Sequence, residues 1–143
     1  PEVRSVAHRV TVDGVAHTVD AAMVLVANCK EIVPYVVQVS PAVRPNDGWF
    51  DVLALRADGV WGAVLAFATF LRTRGGSDAA GRIWSARGRT IKVEVLDGGP
   101  RPVQLDGELS GTTPFETRVV PGGLTVIVDP ATVPGGIGST NGR

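Results

Sequence analysis

Val6-Ala7-His8-Arg9-Val10-Thr11-Val12-Asp13-Gly14-Val15-Ala16-His17-Thr18-Val19-Asp20 is the stretch that decides the fold class. Val6, His8, Val10 and Val12 alternate with Ala7, Arg9, Thr11 and Asp13, the period of a half-buried strand. Asp13-Gly14 is a two-residue hairpin signal with Val12 and Val15 on either side, and Ala16 to Asp20 forms the returning strand. The chain therefore opens with antiparallel β-structure.

Working outward, further short runs follow. Met23-Val24-Leu25-Val26-Ala27 is continuous and apolar, the pattern of a strand buried on both faces. Ile32 to Val39 is a second such run, with Pro34 placing its start at an edge or bulge. Ser40 to Gly48 is a loop with a turn at Asn46-Asp47-Gly48. Phe50 to Arg56, Ile91 to Val95, Arg101 to Asp106, Phe115 to Val120 and Leu124 to Asp129 read as strands. One helix is expected: Trp61, Val64, Leu65, Ala68 and Leu71 fall at helical spacing, Arg72 and Arg74 sit near its end, and Gly75-Gly76 stops it. This stripe, with Phe67 and Phe70, is expected to pack on the strands, with docking at a membrane interface as the alternative. Many short strands and one helix imply an antiparallel β-sandwich with a flanking helix, a mostly β fold.

The chain has 143 residues, enough for one domain with a real core. Hydrophobic residues make up 44% and charged residues 20%, which excludes a disordered chain. The 14 basic and 14 acidic residues balance, so no basic excess points to nucleic acid. The lone cysteine, Cys29, forms no internal disulfide, in keeping with a reducing compartment. No apolar run reaches membrane-spanning length. The start at Pro1 reads as a cut inside a longer protein. One domain is expected over residues 1–130, with a disordered tail over 131–143.

The densest chemistry lies at Asp106-Gly107-Glu108. Residues at i and i+2 of an extended segment project to one side. The glycine between them lets the backbone bend and a ligand approach closely. Two acids on one side suit general-base work on a hydroxyl, or support of a metal or water beside a phosphate. Taken alone, the same tripeptide is also an ordinary polar turn. The other candidate motifs fall away. Gly75-Gly76-Ser77-Asp78 and Gly135-Gly136-Ile137-Gly138 lack the strand before and helix after that a nucleotide loop requires. His8 and His17 have no acid at metal or triad spacing and read as structural. No serine lies in a G-x-S-x-G setting.

The order of several pieces resembles the C-terminal domain of the diacylglycerol kinase-like lipid kinases, the family that includes the sphingosine kinases. These pieces are Val26-Ala27-Asn28, then Ser40-Pro41 through Asn46-Asp47-Gly48-Trp49-Phe50-Asp51-Val52. Leu105-Asp106-Gly107-Glu108 with Thr113-Pro114-Phe115-Glu116 comes next, followed by Leu124 to Pro130. The chain departs from many members in lacking a glycine cluster after Asn28. The resemblance implies that Glu108 is the catalytic acceptor of a lipid hydroxyl proton, with Asp106 beside it. It implies a magnesium loop in which main-chain carbonyls at Ala42 and Trp49 and the Asp47 carboxylate hold the ion. It implies ATP as co-substrate, bound mainly by an N-terminal nucleotide domain absent from this sequence, so that this chain alone is inactive. The implied partners are a diacylglycerol-like lipid and, transiently, a membrane surface, with a cytoplasmic, peripheral location. Nothing in the sequence sets the oligomeric state. A kinase for sphingoid bases or other lipid alcohols, or a β-sandwich binding module without catalysis, fits the same residues.

Overall fold

In the computed structural model the described residues are 3–28, 31–33, 37–38, 47–73, 81–123, 125 and 127. In chain order the elements are β1 (Val6–Val12), β2 (Val15–Ala21), β3 (Met23–Ala27), β4 (Glu31–Val33), β5 (Val37–Gln38) and β6 (Phe50–Leu55). Then come α1 (Gly59–Thr73), β7 (Ile83–Gly88), β8 (Thr90–Val95), β9 (Pro102–Leu105), β10 (Glu108–Thr112) and β11 (Phe115–Arg118). A four-stranded sheet runs β11-β8-β1-β2 and a three-stranded sheet runs β3-β6-β7, with two small ribbons, β4-β5 and β10-β9. All pairings are antiparallel.

The first hairpin forms as its sequence dictates. Val12 pairs with Val15 across Asp13-Gly14, and both turn residues have positive φ, 48° and 86°, the geometry of a type I′ turn. The Asp13 carboxylate then does more than shape the turn. Its Oδ1 accepts the backbone N–H groups of Arg89 and Thr90 at 2.8 Å each. The Asp13 N–H donates to the Thr90 carbonyl at 2.9 Å. Gly88 ends β7 at this junction. A Cβ placed there would lie 2.4 Å from Val12 Cγ1 and 3.1 Å from Asp13 Oδ2. Only glycine lets the two segments approach so closely.

The two large sheets face each other across Val10 and Val12 of β1, Ile91 and Val93 of β8, and Val52 of β6. On the opposite face of the three-stranded sheet, Leu53, Leu55, Ile83 and Ala27 pack against Phe70 of α1. The layers are sheet, sheet, helix, as the mostly β reading expects. Val52, Leu53, Ala54 and Leu55 are all buried, because β6 is the central strand of its sheet and is covered on both sides. Burial on both faces was expected of Met23 to Ala27 instead. β3 pairs only with β6 among the described residues, and Met23 is exposed. The apolar run itself does not distinguish a central strand from a border strand.

The helix packs, but on a face other than the one its spacing suggested. Ala66, Thr69 and Phe70 are buried, whereas Trp61 is 85% exposed and Val64, Leu65 and Phe67 are each about half exposed. Ala68 also faces out, and the Leu71 side chain lies outside the described residues. Phe70 supplies the anchor, packed with Leu53, Leu55 and Ile83 of the sheet. Both faces of α1 are apolar, so a 3.6-residue period does not select between them. The start of the helix is fastened to the N-terminal segment: Gly59 N–H donates to the Val3 carbonyl at 2.8 Å and Ser5 N–H to Asp58 Oδ1 at 2.9 Å.

Two strands lie where the sequence reading placed none. β7, Ile-Trp-Ser-Ala-Arg-Gly, alternates poorly, and β10, Glu-Leu-Ser-Gly-Thr, is polar and interrupted by glycine. The run from Ile32 is not one strand but part of the β4-β5 ribbon, with residues 34–36 outside the description. The expected strand from Leu124 to Asp129 and the tail over 131–143 also lie largely or wholly outside it. Neither described residue in that strand, Thr125 or Ile127, is paired in a sheet. No helix among the described residues is long and apolar enough to cross a membrane. His8 is buried with Nδ1 2.8 Å from the Val6 carbonyl, and His17 stacks obliquely on Trp84, both structural roles.

Replacing Gly88 with alanine forces a Cβ into Val12, a stiff β-branched side chain, and should cost about 1–3 kcal/mol in chemical denaturation. The helix orientation gives a second expectation. Phe70→Ala should destabilise by about 3–5 kcal/mol, while Trp61→Ser should leave the unfolding free energy within about 0.5 kcal/mol. Equal losses at the two positions would contradict the observed packing.

Candidate functional site

Leu105 pairs with Glu108, so Asp106-Gly107 is itself a two-residue hairpin turn joining β9 and β10. Its φ values, 50° and 91°, repeat those of Asp13-Gly14. This corrects the expectation that Asp106 and Glu108 occupy i and i+2 of one extended segment. Asp106 sits in the left-handed region at the turn, and Glu108 is the first residue of the returning strand. The extended-chain rule therefore does not place the two carboxylates on one side. Both are exposed, and neither makes a hydrogen bond or ion pair with any described residue. Leu105, 63% exposed, stands opposite Glu108 in the register, and Leu109, 72% exposed, follows it on the strand. The ribbon is closed at its base by Thr113: its N–H donates to the Arg101 carbonyl at 2.8 Å, and its hydroxyl accepts the Arg101 N–H at 2.9 Å. Thr113-Pro114, one of the recognised pieces, thus supports the hairpin that carries Glu108.

A second polar cluster surrounds Asp47. Its Oδ1 accepts the Trp49 N–H at 3.0 Å, closing the turn locally. Its Oδ2 accepts a hydrogen bond from Arg87 Nη2. Arg87 stands opposite Asp51 in the β6-β7 register, and its Nε lies 3.8 Å from Asp51 Oδ2. That oxygen is enclosed without a hydrogen-bond partner among the described residues. Burial pushes the Asp51 carboxyl above its usual range, Arg87 opposes the rise, and Asp47 adds to it. Trp49 carries two guanidinium groups near its ring, Arg89 at 4.6 Å from the centroid and Arg87 at 5.7 Å.

Of the implied magnesium ligands, Ala42 lies outside the described residues, and the bond between Asp47 and Trp49 uses the Trp49 N–H rather than its carbonyl. Both Asp47 oxygens are engaged by protein donors, and no trio of His, Cys, Asp or Glu gathers to hold a metal among the described residues. A cage for a hard cation needs several oxygens turned toward one point. The described part of this loop does not supply it. No hydrogen bond or ion pair joins the Asp106–Glu108 turn to the Asp47 cluster. A crevice of about 570 Å³ takes in neither; it is lined by Arg4, Arg56 and Arg101 and by Asp20, Asp58 and Asp97, three charges of each sign. The sequence reading missed Arg87, Arg89 and Asp51. Recognising Ile83 to Gly88 as a strand beside Phe50 to Leu55 would have placed Arg87 against Asp51.

With this geometry in place, comparison with known proteins identifies the fold's relatives. The model for the YegS C-terminal NAD kinase beta sandwich-like domain matches residues 2–128. A Bacillus anthracis structure, provisionally named a diacylglycerol kinase, superposes with TM-score 0.73 at 22% identity over 93% of this chain and 44% of its own. Another from the same organism gives 0.72 at 23% identity, over 93% of this chain and 43% of that one. A further B. anthracis structure, of a diacylglycerol kinase, gives 0.67 at 18% identity, over 92% and 45%. This chain thus spans less than half the length of each of these structures. No curated protein sequence matches it. These structures share its fold, and the family match over residues 2–128 establishes that this chain belongs to the YegS C-terminal NAD kinase beta sandwich-like domain family.

Proposed function

We propose that this domain supplies the acceptor side of a lipid kinase. The observation that carries the reading is the placement of Glu108 at the exposed tip of the β9-β10 hairpin, opposite the exposed Leu105 in the strand register. A carboxylate there is reachable by a hydroxyl delivered from outside the sheet, and Leu105 offers apolar contact to an acyl chain. In this reading a diacylglycerol-like lipid hydroxyl gives its proton to Glu108 as its oxygen attacks the γ-phosphorus of ATP, and ADP leaves. Asp106 occupies the turn that carries Glu108. Phosphoryl transfer has a loose transition state, so orientation of the hydroxyl is the larger part of the contribution. ATP would be bound mainly by the rest of the parent protein, with magnesium neutralising its phosphate oxygens.

The outward face of α1 gives this reading a place to meet lipid. No charged side chain lies between Asp58 and Arg72, and Trp61, Val64, Leu65 and Phe67 point away from the sheet. An apolar face with an outward tryptophan and a terminal arginine matches the chemistry of a bilayer interface. At about 1.5 Å per residue the helix is too short to span a hydrocarbon core of about 30 Å, so it would lie on the surface. The enzyme would then be cytoplasmic and peripherally attached.

In the full-length protein Glu108→Gln should lower kcat about 10²- to 10⁴-fold with the KM for ATP unchanged; near-normal turnover would remove the assigned role. This chain by itself should not transfer phosphate from ATP to diacylglycerol. Trp61→Ser combined with Phe67→Ser should weaken co-sedimentation with phosphatidylglycerol-containing vesicles while leaving turnover on detergent-dispersed lipid intact. Undiminished sedimentation of the double variant would exclude α1 as the contact.

A further inference from the structure

We propose that Arg87 is a built-in cation for the Asp47 turn, so that this turn closes on a guanidinium and takes no divalent ion. The proposal is independent of the role given to Glu108.

Four observations converge on it. Asp47 has its two carboxylate oxygens divided between the Trp49 N–H and Arg87 Nη2. Arg87 is fixed by the β6-β7 register directly opposite Asp51, with its Nε 3.8 Å from Asp51 Oδ2. One planar guanidinium therefore hydrogen-bonds Asp47 through Nη2 while its Nε lies at ion-pair distance from Asp51, a geometry that the single ammonium of lysine does not reproduce. Arg89 stands over the same Trp49 ring at 4.6 Å and brings a second positive charge to the turn. A divalent ion entering beside Asp47 would have to displace one of these groups. It would then share the turn with two positive charges, in a place where no trio of acidic or imidazole ligands gathers among the described residues. Magnesium demands near-octahedral oxygen coordination, and beside Asp47 it would have to compete with a guanidinium already paired to that carboxylate.

The consequence is a turn whose order depends on an ion pair rather than on metal supply. Trp49 and Arg89 are held in place with it, because the Trp49 backbone is bonded to Asp47 and its ring lies under both guanidiniums.

The test uses the full-length protein without nucleotide. Isothermal calorimetry with magnesium chloride should give the same heats for the wild type and Asp47→Asn. In thermal unfolding, Arg87→Gln and Asp47→Asn should each lower the melting temperature. The double variant should be no less stable than the weaker single variant, since both remove one interaction. Arg87→Lys should fall near Arg87→Gln, because the point charge does not bridge both acids. A magnesium heat present in the wild type and lost in Asp47→Asn would overturn the proposal, as would additive losses in the double variant. If Asp47→Asn does not fold, wild-type unfolding in magnesium against chelator decides the matter: no shift supports the proposal, and a rise in melting temperature that Arg87→Gln enlarges overturns it.

Discussion

The architecture hangs on the Asp13 carboxylate, which receives the backbone N–H groups of Arg89 and Thr90. β7 belongs to the three-stranded sheet and β8 to the four-stranded one, and the chain passes between them through Gly88, Arg89 and Thr90. Asp13 grips that passage from the turn of the first hairpin. The grip places Val12 opposite Ile91, where the interior of the sandwich begins. It also positions the end of β7, and with it Arg87 against Asp51 and Arg89 over Trp49. The pairing of the two sheets and the polar cluster at Asp47 are set by the same junction. Charge-assisted bonds to backbone N–H groups suit this task, being about twice as strong as neutral ones.

Local signals made part of this readable from residues alone. The opening hairpin needed only alternation and Asp-Gly, both local, and it formed with the expected register. The helix was visible, but its orientation was not: α1 is apolar on both faces, and only its packing shows that Phe70, not Trp61, meets Leu53, Leu55 and Ile83. β7 escaped notice because Arg87 and Gly88 answer to tertiary neighbours rather than to a strand pattern. Gly88 is dictated by the approach of Val12, and Arg87 by Asp51 across the sheet. The polar cluster was therefore invisible in outline, since it required two strands to be paired first. Asp106-Gly107-Glu108 drew attention for its acids, and treating it as extended hid the turn that separates them.

The two Asp-Gly turns show how little a motif fixes by itself. Their backbone angles nearly coincide. Asp13 spends its carboxylate on the protein's own main chain, while Asp106 and Glu108 keep theirs toward solvent. The difference lies in surroundings: the first hairpin is inside the four-stranded sheet, and the second stands apart as a two-stranded ribbon. That separation is compatible with a family whose members share the sandwich at low sequence identity.

The attachment of the β9-β10 ribbon has an evolutionary consequence. A two-stranded hairpin is only marginally stable by itself, and here it is joined to the body through Thr113 and Arg101 at its neck. Its outer residues are almost wholly exposed and contribute nothing to either core cluster. Substitutions at the tip therefore carry little folding cost, whereas the neck is constrained. Such an arm is free to diversify: the residues around Glu108 can drift in size and polarity from one descendant to the next while the sandwich beneath them stays the same.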